Sequence, residues 1–307
     1  MKLLKKLTSI AGASSDELQI KKFLLKYILE NQNNWKSKPT IIEGDEFHDN
    51  LILVFGKPRT AIYAHIDTIG FSVSYENQLV KIGGPDLIDG TPLVGRDSKG
   101  KIETELMIIE QENSRPIIKC VYPREIERGT ILTYKPNFRE TETTIQSPYL
   151  DNRLGVWCAL KIAETLKDGV IVFSTYEEHG GNSVGFISKY LYKKFKIKQA
   201  LICDITWLTD HVTPGKGVAI SLRDSMLPRK TYLTKILKLA QKSGIDFQLE
   251  VESAGGSDGS TLQKSELLID WCFIGAGEDN VHTCDEIVSK YDILCMVEMY
   301  RFLMKHL

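Results

Sequence analysis

No apolar run in these 307 residues approaches the roughly 20 needed to cross a bilayer, so nothing in the sequence points to a membrane. Charge of one sign is equally short. Thirty-nine lysines and arginines stand against 40 aspartates and glutamates, a formal net charge of −1. Such a balance leaves no electrostatic footprint for nucleic acid or an acidic membrane surface. The six cysteines, at 120, 158, 203, 272, 284 and 295, include no Cys-x-x-Cys pair. Cys203 and Cys272 lie in apolar strand-like runs and Cys158 in a helical pattern, which reads as reduced core thiols in a cytoplasmic protein. Internal repeats and low-complexity segments are missing as well. In the opening MKLLKKLTSIAGASS, Lys5 and Lys6 interrupt the apolar segment, so a helix start is expected there rather than a cleaved leader.

What remains is an ordinary globular composition, 42% apolar and 26% charged. The length suits one large domain or a domain carrying an insertion. Ser14 and Glu17 fit a capping box opening a helix, with Ile20, Phe23, Leu24, Tyr27 and Ile28 at helical spacing. LILVF (51–55) and AIYA (61–64) read as strands. Residues 71–147 then change character: FSVSY, LVKIG, KIETELMIIE, PIIKCVY, TILTY and TTIQS are strand-like and broken by turns. An inserted all-β domain of barrel-like form is expected there, splitting a catalytic domain into 1–70 and 148–307.

Beyond the insertion, helical and strand patterns alternate: a helix at 153–167, VIVFSTY, a helix at 183–192, and ALIC (200–203). A helix at 230–243, FQLEV (247–251), DWCFIGAG (270–277) and a closing helix at 286–306 complete the chain. This predicts an α/β fold with a mostly parallel sheet covered by helices, whose ligands bind outside the carboxyl ends of the strands. The lysine-rich stretch 193–198 reads as a solvated helix end.

Three of the apolar runs end at metal-ligating residue types. AIYA leads into His65, with Asp67 two residues on and on the same face in a strand-like register. VIVFSTY leads into Glu177-Glu178, where neighbouring side chains diverge and one acid can bind a metal while the other moves a proton. ALIC leads into Asp204. Asp151 precedes a helix, and His282 precedes the final one. Two histidines and several acids at the junctions of one sheet are able to converge on a single cleft. Gly255, Gly256 and Asp258 form a candidate substrate-pocket loop, since no Lys-Ser/Thr follows the glycines as a phosphate loop requires. His48, His211 and His306 have no identifiable partners.

The motifs HIDTIGF (65–71), SPYLDNRLGV (147–156), TYEEHGG (175–181), CDITW (203–207), TPGKGVAIS (213–221), GGSDGS (255–260) and NVHTCDE (280–286) together resemble those of the tetrahedral, glutamyl/leucyl-type aminopeptidases. They stand in the family's order and span nearly the whole chain. The resemblance implies a dinuclear metallopeptidase fold with a β-rich domain at 71–147, serving oligomerisation or access control. It implies two divalent ions, zinc first and cobalt or manganese next. Asp151 would bridge them, His65 and Asp204 would complete one site, and Glu178 and His282 the other. Glu177 would be the general base and Asp67 the partner that orients His65. Three carboxylates and a hydroxide balance two dications, and nitrogen and oxygen donors suit zinc or cobalt without a thiolate. Short peptides with a free N-terminus are the implied substrates and a homo-oligomer the implied state. A deacylase acting on N-acyl amino acids and an inactive binding homologue are the rival readings. The chain departs from the family at Thr68, where glutamate is usual, at His179, where an apolar residue is commoner, and at Cys284, where proline is usual. Its insertion is also short for the family.

Overall fold

The computed structural model describes residues 1–111, 116–181 and 183–307. The strands Leu51–Phe55, Ala61–His65 and Gly169–Ser174 are buried at every position, as strands covered on both faces must be. Their residues alternate between two cores. Leu51, Leu53, Phe55, Ile171 and Phe173 join the helices Leu18–Asn31, Leu150–Ala163, Lys230–Ser243 and Lys290–His306 on one face. Ile52, Val54, Val170 and Val172 face the helices Ser183–Phe195 and Asp258–Lys264 on the other.

The larger sheet runs in the order Thr40–Ile42, Leu51–Phe55, Gly169–Ser174, Ala61–His65, Gln199–Trp207, Asp270–Asp279, Glu286–Ser289, Thr144–Ser147, Arg139–Glu140, with Val218–Arg223 and Phe247–Val251 branching from Asp270–Asp279. Pairing is parallel through the four strands from Gly169–Ser174 to Asp270–Asp279 and antiparallel towards both edges. The sheet is therefore mixed, parallel at its centre.

The smaller sheet is antiparallel, in the order Leu79–Ile82, Gly70–Val73, Ile131–Tyr134, Pro92–Asp97, Gly100–Ile109, Ile117–Cys120. A bridge between Gln78 and Lys119 brings its ends together, so it is nearly closed. Phe71, Leu93, Ile102, Leu106 and Leu132 fill its core.

Several expectations need correction. Thr144–Ser147 pairs with Glu286–Ser289 in the larger sheet, so strand pairing changes hands before residue 147. Glu286–Ser289 is itself a strand, and the last helix starts only at Lys290. Asp204 does not end its strand, which continues to Trp207. Ser14 caps nothing: the helix begins at Leu18 without a side-chain cap, and the Ser14 hydroxyl donates to Asp67 instead. Among the described residues no helix is long and apolar enough to cross a membrane.

Candidate metal centre

His65 closes its strand directly beside Ser174, its partner in the parallel register. The chain leaving Ser174 turns sharply at Tyr176, whose φ of 64° lies in the left-handed region. The turn brings the amides of Glu177 and Glu178 onto the two oxygens of Asp67, each at 3.1 Å. One buried acid thus organises both the acid pair and the imidazole, for His65 Nδ1 lies 3.5 Å from Asp67 Oδ1 and 3.2 Å from its backbone oxygen. Ser14 adds a hydrogen bond to Asp67 Oδ2 at 2.6 Å.

Asp151 sits at the start of the helix Leu150–Ala163 with extended rather than helical dihedrals. Its Oδ1 is 3.2 Å from His65 Nε2 and its Oδ2 is 3.3 Å from His282 Nε2. Asp204 Oδ2 lies 3.5 Å from His65 Nε2, and Glu178 Oε2 lies 3.3 Å from His282 Nε2. Two groups result, His65–Asp151–Asp204 and Asp151–Glu178–His282, in each of which one donor atom per residue lies within 4.8 Å of the others. Asp151 belongs to both. Glu177 belongs to neither, but its Oε2 is 3.9 Å from His65 Nε2.

The charges in this cluster are uncompensated. Burial pushes Glu177 well up, with Asp204 adding repulsion against the pull of His65. Burial followed by Asp151 does the same to Glu178, and Asp204 is also raised by burial. His65 moves well up although burial opposes it, because Asp204, Asp151 and Asp67 outweigh that cost. His282 rises for the same reason through Asp151. Each imidazole is thus faced by several carboxylates. Glu178 Oε1 is buried without a hydrogen-bond partner, and Asp151 Oδ1 has only the His65 ring beside it, a costly state for carboxylate oxygens unless something binds them. An all-nitrogen-and-oxygen donor set fits zinc, cobalt or manganese.

Some supporting groups carried no signal in the sequence. Glu286, buried, accepts the amides of Asp151 and His282 at 3.2 Å each. His282 Nδ1 meets the Gly84 carbonyl at 3.1 Å, so the loop after the strand Leu79–Ile82 reaches the site; only the Gly83-Gly84 turn hinted at it. His179 is exposed and accepts from the Gly83 amide at 3.1 Å, outside both ligand groups. Cys284 packs against the core of the smaller sheet.

A cavity of about 220 Å³ opens over the cluster, walled by the five ligand candidates, Glu177, Gly255 and Gly256. Asp258 does not line it. That residue is buried at the start of a helix, accepts from the Ser174 hydroxyl at 2.5 Å, and is pushed up to about 7 mainly by burial.

Comparison with known proteins places this geometry. A relative from Acetivibrio thermocellus, whose name includes the word aminopeptidase, is 26% identical over 324 residues, taking in 95% of this chain and 94% of its own. An aminopeptidase from the archaeon Desulfurococcus kamchatkensis is similar in structure, with a TM-score of 0.83 and 20% identity over 100% of this chain and 94% of that one. The TET1 peptidase of Pyrococcus horikoshii has a TM-score of 0.80 and 21% identity, covering 99% of this chain and 98% of its own. At these identities the two structures show the fold. The model of the M42 glutamyl aminopeptidase family matches residues 104–299, more than half of the chain, and the protein belongs to that family.

Proposed function

We propose that the protein is a metal-dependent aminopeptidase that removes N-terminal residues from short peptides. The observation that carries this reading is Asp151, whose two oxygens face His65 and His282 separately and tie two three-residue ligand groups together. His65, Asp151 and Asp204 would hold one divalent ion, and Asp151, Glu178 and His282 the other, zinc being the first choice. When bound, the ions would lower the pKa of a water and polarise the scissile carbonyl.

The remaining work falls to the chain's own groups. Glu177, free of both ligand groups, takes the proton of the attacking water and hands it to the leaving amine. Its Oε2 lies 3.9 Å from His65 Nε2, beside the ligand groups but outside them. Asp67 holds the His65 ring by its second nitrogen and fixes the tautomer. Carboxylates around the cavity also favour a free ammonium group at the substrate's N-terminus, which restricts cleavage to the first residue.

The six-stranded sheet, from Gly70–Val73 to Ile131–Tyr134, would belong to an inserted domain that limits access, since Gly84 touches His282. The Pyrococcus horikoshii TET1 peptidase can assemble into a tetrahedron or a large octahedral shell. We propose a homo-oligomer here by analogy.

Metal analysis combined with paired free and N-acetylated peptides tests the reading. Bound divalent metal and cleavage abolished by acetylation are expected. Failure to retain any divalent metal, or preferential cleavage of the acylated compound, would contradict it, the latter in favour of a deacylase.

A further inference from the structure

Away from the ligand groups, the same cavity is walled by three more carboxylates. Glu250, Glu252 and Asp224 line it beside Trp207, and among the described residues neither lysine nor arginine does. Sheet geometry explains the placement. Thr206 lies two residues beyond Asp204 on the strand Gln199–Trp207, hence on the same face and about 6.6 Å along it. Its hydroxyl donates to Glu250 Oε1. Glu250 belongs to the strand Phe247–Val251, opposite Ser221 of Val218–Arg223, and Asp224 follows directly from that neighbouring strand.

Two of the three are buried, and among the described residues no ion pair reaches any of them. Glu250 is 4% exposed and Asp224 8%. Burial raises the carboxyl of each, and Glu252 and Asp224 add repulsion at Glu250. One oxygen of Asp224 is held by the Met226 amide at 2.5 Å. Arg223 sends its Nε–H to the backbone carbonyls of Asp224 and Glu252, at 3.2 and 3.0 Å, rather than to their carboxylates. At its other end the cavity reaches the ligand groups around Asp151 and Glu178. The acidic wall therefore shares one cavity with the ligand groups rather than lying on open surface.

We propose that this cavity selects peptides whose N-terminal residue is lysine or arginine, with Glu250, Glu252 and Asp224 receiving the side-chain cation; this rests on the aminopeptidase reading of the same site. A buried carboxylate is stabilised by a cation and penalised without one. An apolar side chain would offer Glu250 and Asp224 no counter-charge, and an acidic one would be repelled. Trp207 offers an aromatic face to the cation. The Gly255 backbone packs beside that ring, where a Cβ would meet it at 3.4 Å. The methylene stem of lysine or arginine can pack on Trp207 and Phe273, which also lines the cavity.

The test uses the metal-loaded full chain on matched lysyl, arginyl, leucyl and glutamyl p-nitroanilides, with calorimetric binding of lysinamide and leucinamide. Lysyl and arginyl substrates should exceed leucyl in kcat/KM by about tenfold or more, with glutamyl slowest. Glu250→Gln should cut the lysyl-to-leucyl ratio about tenfold. Glu252→Gln, at a half-buried position, should lower the same ratio should the first variant fold poorly. Fastest turnover of leucyl or glutamyl substrate overturns the selectivity and leaves the aminopeptidase reading standing, as does a ratio unmoved by either substitution. Turnover of none of the four overturns the aminopeptidase reading, and lysinamide binding no tighter than leucinamide then overturns the selectivity too.

Discussion

Ser14 donates its hydroxyl to Asp67 Oδ2 across 2.6 Å, joining a segment before the first long helix to the acid behind His65. Asp67 is fully buried and also accepts the amides of Glu177 and Glu178. It is therefore a hub for three segments and not only a partner of one imidazole. Asp67→Asn replaces an acceptor with a donor facing those amides and loosens both the acid pair and His65. Metal affinity should fall by about 10–100-fold. Ser14→Ala, which removes one of several hydrogen bonds, should cost much less. Equal losses in the two variants, measured by competition with a chelator, would contradict the hub.

Glu17 gives a pH dependence. Its carboxyl is pushed from 4.5 up to about 7, by burial first and by Asp67 second. The folded chain therefore holds this proton more tightly than the unfolded chain. The stability it contributes is complete below the unfolded value and is lost as pH rises through about 7. Glu17→Gln should flatten the decline in the metal-free protein and, above neutral pH, stabilise it by up to about 3 kcal/mol. Urea unfolding at about pH 5 and about pH 8 reads the effect; an unchanged slope would remove Glu17 from the account.

Gly155 is where the helix Leu150–Ala163 touches the strand carrying Asp204. A Cβ there would collide with the Cys203 carbonyl and the Asn152 side chain. Those two groups are already joined, Asn152 Nδ2 to Cys203 O at 2.9 Å, with the Gly155 amide on Asn152 Oδ1 at 2.8 Å. Gly155→Ala should force helix from strand, at a cost of about 1–3 kcal/mol, and spread Asp151 from Asp204. Denaturant midpoints together with metal content check both effects.

The ends of the central strands were readable because their signals are local. An apolar run leading into His65 or towards Glu177-Glu178 announces a strand end and a ligand type in one short window, whereas Asp204 stood out by residue type alone, its strand running on to Trp207. Supporting contacts were not, because they join residues far apart: 53 positions separate Ser14 from Asp67, 135 separate Asp151 from Glu286, and 198 separate His282 from Gly84. Ser14 shows how a local rule loses. Its spacing to Glu17 satisfies a capping box, but a buried acid just beyond a distant strand offers its hydroxyl a better acceptor. Glu286–Ser289 was absorbed into the final helix because four residues are too few to show a period of two. The acidic wall was invisible for another reason: Asp224, Glu250 and Glu252 meet only through the parallel register of two branching strands.

The central claim is that Glu177 moves the proton while its neighbour Glu178 holds metal. It is tested most directly by kcat of metal-loaded Glu177→Gln on a peptide with a free N-terminus. The account predicts a loss of about 10²–10⁴-fold with metal content unchanged. Turnover at the level of the unsubstituted protein would contradict it.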